Sequence, residues 1–204
     1  MTTAFADAIS LFKHRVPGCP EFEAIQALRF AVIEFCKETS VLQAWVTKSS
    51  NALTFDTSTG EAPTQVVGLF DAFVDGVQAG IVHLNSAQID EADETAPVIT
   101  HNDDLNTTLA ITPVPATVVD VRLLVSFAPT PDANEFDTHL WTMHREALRW
   151  GALARLLREP GTRYVDPNLA GTYRADFEAA MSKASTASSV NRATTGRVLR
   201  VTPS

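Results

Sequence analysis

The chain has 204 residues, 45% hydrophobic and 20% charged, which is enough for one substantial core in a single domain, or for one domain plus an arm. No run approaches the roughly 20 apolar residues of a membrane span, and MTTAFADAISLFKHR lacks the charged-then-apolar layout of a signal peptide, so a soluble protein made in a cytoplasm is expected. The formal charge of −8 argues against general affinity for nucleic acid, and it is unevenly placed: residues 1–178 set 12 basic side chains against 24 acidic ones, whereas residues 179–204 hold Lys183, Arg192, Arg197 and Arg200 and no acid.

Phe5, Ile9 and Phe12 fall at helical spacing and predict a short amphipathic helix over 3–12. The turn Val16-Pro17-Gly18-Cys19-Pro20 follows, and Pro20 suits the first position of a helix. That helix is expected over 21–39, with Ile25, Leu28, Val32 and Phe35 on its core stripe and Ala24, Ala27 and Ala31 thinning the neighbouring surface. From Val41 onward, short apolar or alternating runs broken by turn residues predict strands near 44–46, 52–55, 65–74, 98–100, 107–111 and 118–127. In the last of these Val119, Val121, Leu123, Val125 and Phe127 alternate with Asp120, Arg122 and Ser126, one face buried and one wetter. Asp75-Gly76 supplies a tight turn, and Gln88 to Glu94 a solvated loop or helix end.

The most sharply patterned stretch is Asp137 to Glu159. Leu140, Met143, Ala147, Trp150, Ala154 and Leu157 recur at steps of three and four, Asp137 and Thr138 can cap the first turn, Arg155 and Arg158 suit the negative end, and Pro160-Gly161 stops the helix. Gly151 costs about 1 kcal/mol inside a helix, so a close backbone neighbour is expected there. The alanines of the 21–39 helix are the natural partner. Asp166-Pro167 opens a fourth helix, 167–182, with Leu169, Tyr173, Phe177 and Met181 at steps of four. Residues 185–204 are rich in Ser, Thr and Ala, and are expected to be an extended arm that orders on a partner. The expected class is α+β: a helical core of about four helices with a β-rich insertion at about 44–127 within residues 1–184, followed by that arm.

No GxSxG elbow, P-loop or HExxH occurs, and no GxGxxG follows a strand, so no catalytic residue and no cofactor are expected. His139 and His144 are about 140° apart around a helix, which does not make a shared ligand face. Cys19 and Cys36 lack zinc spacing, so free thiols and no metal are expected. Asp90, Glu91, Asp93 and Glu94 lack the glycine turn of a calcium loop and read as a solvated charge run. His101 beside Asp103-Asp104 has no third member of a catalytic set. Trp45, Trp141 and Trp150 read as core or interface anchors rather than as the lining of a ligand pocket. The arm's anchors are Arg192, Arg197 and Arg200, with Val198, Leu199 and Val201 as its apolar cluster; the bland reading is a solubilising tail.

Two of these stretches carry a resemblance. Val16 to Trp45, with Val16 to Pro20 as a turn before a helix reading Ala27 to Arg29, Glu34 to Cys36 and Thr39, resembles the N-terminal signature of a head-to-tail adaptor (connector) family of tailed bacteriophages. Ala147 to Ala180, a small-residue helix, a proline-glycine stop and an Asn-Leu-Ala helix start, is similar to that family's closing segment. The resemblance implies a virion structural protein at the head-tail junction, assembled as a homo-oligomeric ring of twelve copies beneath the portal. It further implies a C-terminal arm reaching toward portal or tail proteins, DNA passing through the channel without sequence-specific binding, and no catalytic residue. The alternatives are a tail-completion or tail-tube protein, or a small cytoplasmic enzyme with a site near His101 and Asp103.

Overall fold

The computed structural model describes residues 1–50, 54–55, 64–83, 97–101 and 109–194. The expected α+β class is what the structure shows, but the described chain divides into two compact units where a single domain is expected: Met1–Leu42 joined with residues 128–194, and Gln43–Phe127 inserted between them.

The helical unit begins differently from expectation. In place of a helix over 3–12 there is a strand β1 (Thr2–Ala4), a single turn α1 (Phe5–Ala8) and two 3₁₀ turns, Ile9–Leu11 and Lys13–Arg15. Phe5, Ile9 and Phe12 are all buried as their spacing requires, and the tighter winding achieves this while β1 pairs antiparallel with β10 (Glu135–Asp137). α2 (Glu21–Thr39) has the expected bounds, with Pro20 one residue earlier than expected, at the N-cap. Its buried face holds Ala24, Leu28, Ala31, Val32, Phe35 and Cys36, and Ser40 ends it in the left-handed region.

α3 (Thr138–Leu156) is capped by Asp137, whose carboxylate accepts from the His139 and Leu140 backbone N–H groups at 2.7 and 3.1 Å. Of its expected core stripe Leu140, Ala147, Ala154 and Leu157 are buried and Trp150 is half-buried, but Met143 is not. Met143 is 63% exposed, whereas Leu148, Gly151, Ala152, Leu153 and Leu156 are buried. The helix is broken at His144 (φ −126°, ψ 16°), directly after Met143. α4 (Pro167–Thr194) starts under the Asp166 side chain, which accepts from the Leu169 N–H at 3.0 Å. It runs twelve residues past its expected end at 182. Ser188, expected in the arm, is buried and donates to the Thr39 carbonyl at 2.6 Å, so the C-terminal end of α2 holds this part of α4. Leu169 is 40% exposed, and Ala170, Phe177, Met181 and Ala184 form the buried face instead.

α2, α3 and α4 pack mutually. A Cβ built on Gly151 would lie 2.9 Å from Ala31 Cβ, so the expected close approach of α2 and α3 is present, and the Phe177 ring of α4, also at 2.9 Å, closes the same spot from a third side.

The inserted unit holds β2 (Gln43–Ser50), β3 (Thr54–Phe55), β4 (Thr64–Val74), β5 (Val77–Gln78), β6 (Gly80–His83), β7 (Val98–His101), β8 (Leu109–Thr112) and most of β9 (Val119–Pro129). They form two four-stranded sheets, β2-β9-β4-β5 and β3-β8-β7-β6. Asp75 and Gly76, both at positive φ, make the expected turn between β4 and β5. One core, with Val46, Val66, Ile99, Ile111, Val121, Leu123 and Val125, is shared by the two sheets. Ser126, expected on the wetter face, is fully buried beside Gly68, which is free of a side chain where a Cβ would stand 2.7 Å from the Ser126 hydroxyl.

Candidate interaction surface

Glu34 projects from α2 three residues after Ala31, on the half-buried flank where α3 and α4 both arrive. Its carboxylate accepts from Arg155 of α3 at 2.7 Å and from Arg174 of α4 at 2.6 Å, one oxygen each. Arg174 also donates to Glu178 at 2.6 Å, one helical turn on. The Arg155 guanidinium lies over Phe30, 5.4 Å from the ring centroid, and that of Arg174 lies 5.7 Å from Phe177. Burial would raise the Glu34 pKa, but the two guanidinium groups outweigh it and hold the carboxyl below its usual value, so it is ionised at neutral pH. One carboxylate therefore ties three helices together. The sequence reading assigned Arg155 to the helix dipole and missed this clamp, because its members are 121 and 140 residues apart and no local pattern links them.

Beside the clamp, α2 and α4 enclose an open groove of about 490 Å³ lined by Glu34, Glu38, Arg174, Glu178, Met181, Ser182 and Ser185. Of its three carboxylates, Glu34 is paired with Arg155 and Arg174, and Glu178 with Arg174. Glu38 is exposed and has no ion pair among the described residues.

The Val16-to-Pro20 turn meets the segment after α3. The Tyr164 hydroxyl donates to the Glu23 carboxylate at 2.7 Å, beside the Cys19 thiol. Burial raises the Cys19 pKa against an opposing hydrogen bond from Tyr164, and burial together with Glu23 and Cys19 raises that of Tyr164. Both stay protonated at neutral pH, so the cluster is a hydrogen-bonded tie and not an activated nucleophile. Cys36 is fully buried, which pushes its thiol up to about 12.

The other sequence candidates scatter. His139 is exposed, while His144 is half-buried with its ring 4.9 Å from that of Phe35. Among the described residues no three His, Cys, Asp or Glu side chains come together as metal ligands. Trp45 belongs to the inserted unit, where Arg122 covers its ring at 4.5 Å; Trp141 and Trp150 belong to the helical unit, and Trp141 meets Phe136 edge-on. His101 ends β7, and Asp103 and Asp104 lie outside the described residues, as do Asp90, Glu91, Asp93 and Glu94. Of the arm's expected anchors, Arg192 lies in the last turn of α4, and Arg197, Val198, Leu199, Arg200 and Val201 lie outside the described residues. Among the described residues no helix is long and apolar enough to cross a membrane. Comparison with known protein families and with curated proteins finds no family model and no protein that matches the chain.

Proposed function

We propose that the chain is a virion structural protein, a head-to-tail adaptor that assembles as a ring of twelve copies beneath the portal, continues the DNA channel and offers the tail its attachment surface. The observation that carries this reading is where the two resembling stretches lie. Residues 16–39 and 147–180 are far apart in the chain, yet they form one packed frame through Gly151 against Ala31, Tyr164 to Glu23, and Glu34 to Arg155 and Arg174. A β-rich unit is inserted between them, as the resemblance implies. Two further features support it. The acidic body discourages phosphate from adhering to a channel wall. The helical unit also leaves Phe22 67% and Met143 63% exposed, large apolar groups of the kind that contacts between neighbouring subunits cover.

The test is the mass of the purified chain, alone and co-expressed with the portal protein of the same particle. A large ring, or a stable complex with the portal, is expected. A 22.1 kDa monomer that never joins the portal contradicts the reading and favours the small enzyme. Truncation after Thr194, which spares the Ser188 contact, is expected to leave the helical unit folded and to weaken attachment.

A further inference from the structure

We propose that α3 is jointed at His144 and that a proton controls the joint: the neutral imidazole holds the short segment Thr138–Met143 on the helical frame, and the imidazolium frees it.

The joint is present in the backbone, where His144 leaves helical geometry in the interior of α3. Sharp helix breaks nearly always sit at proline, at glycine or serine, at a π-bulge or where a side chain enters the ladder, and Leu140 to Ala147 contains no proline, glycine or serine. What is unusual there is a side chain. Positions 140, 144, 148 and 151 follow at steps of four, four and three, and Leu140, Leu148 and Gly151 are all buried. His144 is thus the polar member of a core stripe. Its half-buried ring lies 4.9 Å from that of Phe35, which lies 6.1 Å from the Phe177 ring that closes over Gly151. The competing cause of the break is Thr142, whose hydroxyl donates back to the Thr138 carbonyl at 2.9 Å.

The two sides of the break have separate attachments. After it, Gly151 meets Ala31 and Phe177, and Arg155 pairs with Glu34. Before it, the Thr138 N–H donates to the Met1 carbonyl at 3.1 Å, the Thr138 and Thr3 hydroxyls share a hydrogen bond of 2.9 Å, and Trp141 meets Phe136 edge-on. Within Thr138–Met143 only Leu140 is buried, so this is a stretch with little packing to resist local opening.

A proton on His144 meets no group that stabilises it. Burial opposes the charge, and so does His139 on the same helix. From α2 the ring meets Phe35, next to the neutral Cys36 thiol; Phe177 of α4 lies behind Phe35. The Asp137 carboxylate is taken by the His139 and Leu140 N–H groups, Glu135 of β10 by the Thr2 hydroxyl, and Arg145 and Glu146 pair with each other. Above pH 6.5 the ring is neutral and the segment is held; as pH falls through the folded pKa, linkage favours the form in which the ring has left Phe35 for water.

The test is hydrogen–deuterium exchange of the full-length chain at pH 7.5 and 5.5, resolved by peptide and corrected for the intrinsic pH dependence of exchange. Residues 138–144 are expected to open roughly tenfold more at the lower pH, while 147–156 hold their protection. His144→Phe, which keeps a ring against Phe35 without a site for a proton, should abolish the difference. His139→Gln, which removes the like charge, should move the transition to higher pH. Four results overturn the inference: equal opening of 138–144 at both pH values, a response that survives in His144→Phe, loss of protection spread evenly over the whole frame, or a response abolished by Thr142→Val with His144 in place. Should His144→Phe not fold, His139→Gln decides, because a midpoint that does not rise also overturns it.

Discussion

Replacing Gly151 by alanine is the most informative single change in the helical frame. Taken alone, α3 gains about 1 kcal/mol of helix propensity from it. The structure opposes that gain, since the new Cβ would stand 2.9 Å from Ala31 Cβ and 2.9 and 3.0 Å from two Phe177 ring atoms. Comfortable carbon contacts are about 3.5–4.0 Å, so α2 and α4 must both give way by more than half an ångström. Neither yields easily: Ala31 Cβ is fixed to its helix backbone, and Phe177 is fully buried. Overpacking of this kind costs about 1–3 kcal/mol, and with two fixed neighbours crowded at once the upper half of that range, about 2–3 kcal/mol, applies, leaving a net loss of about 1–2 kcal/mol after the helix gain. At 2–4 °C per kcal/mol for a chain of this size, the melting temperature should fall by about 2–8 °C. Thermal unfolding followed by far-UV circular dichroism measures it, and the Ala31→Gly, Gly151→Ala double variant should lose less than the sum of the singles. A Gly151→Ala chain as stable as wild type, or more so, would refute the three-helix contact.

Glu34→Gln should cost about 1–2 kcal/mol, discounted because both guanidinium partners are more than 40% exposed. Since the folded pKa of Glu34 lies below 4.5, its contribution is present at neutral pH and lost as pH falls through that folded value, so wild type and variant should converge in acid; a gap independent of pH would contradict the clamp. Burial and His139 hold the His144 pKa below 6.5, so stability from its neutral form is full above 6.5 and lost as pH falls through the folded pKa. Melting curves of His144→Gln should therefore be flatter than wild type across mild acid, and parallel curves would remove His144 as the cause. The Cys36 thiol, at about 12 and fully buried, should react with a thiol reagent only on unfolding; rapid labelling of the native chain at this position would show the packing to be wrong.

Much of the frame was legible because its signals are local. The apolar period and the Pro20 start defined α2 to the residue, Asp137 announced the start of α3, and a glycine among alanines announced a close helix contact. Alternation did the same for β9, except at Ser126, where burial against Gly68 depends on a strand some sixty residues earlier. What was not legible depends on distant partners or on a break in regular geometry. The pairing of β1 with β10 joins the first residues of the chain to the stretch just before α3, and nothing in Thr2–Ala4 itself specifies it. The break at His144 and the exposure of Met143 just before it are departures that a regular 3.6-residue period cannot foresee. Composition suggested that α4 faded after 182, but small Ser and Ala side chains are what allow its last turns to lie against α2, where Ser188 reaches the Thr39 carbonyl. The Glu34 clamp was invisible for the same reason: each member reads as an ordinary exposed charge until the three helices meet.

The proposal that this chain joins head to tail is tested most directly by electron microscopy of the particle, or of the chain co-expressed with its portal. The account predicts a closed ring of density beneath the portal into which the helical unit fits. Density for this chain in the tail tube, or portal rings that carry none of it, would contradict the account.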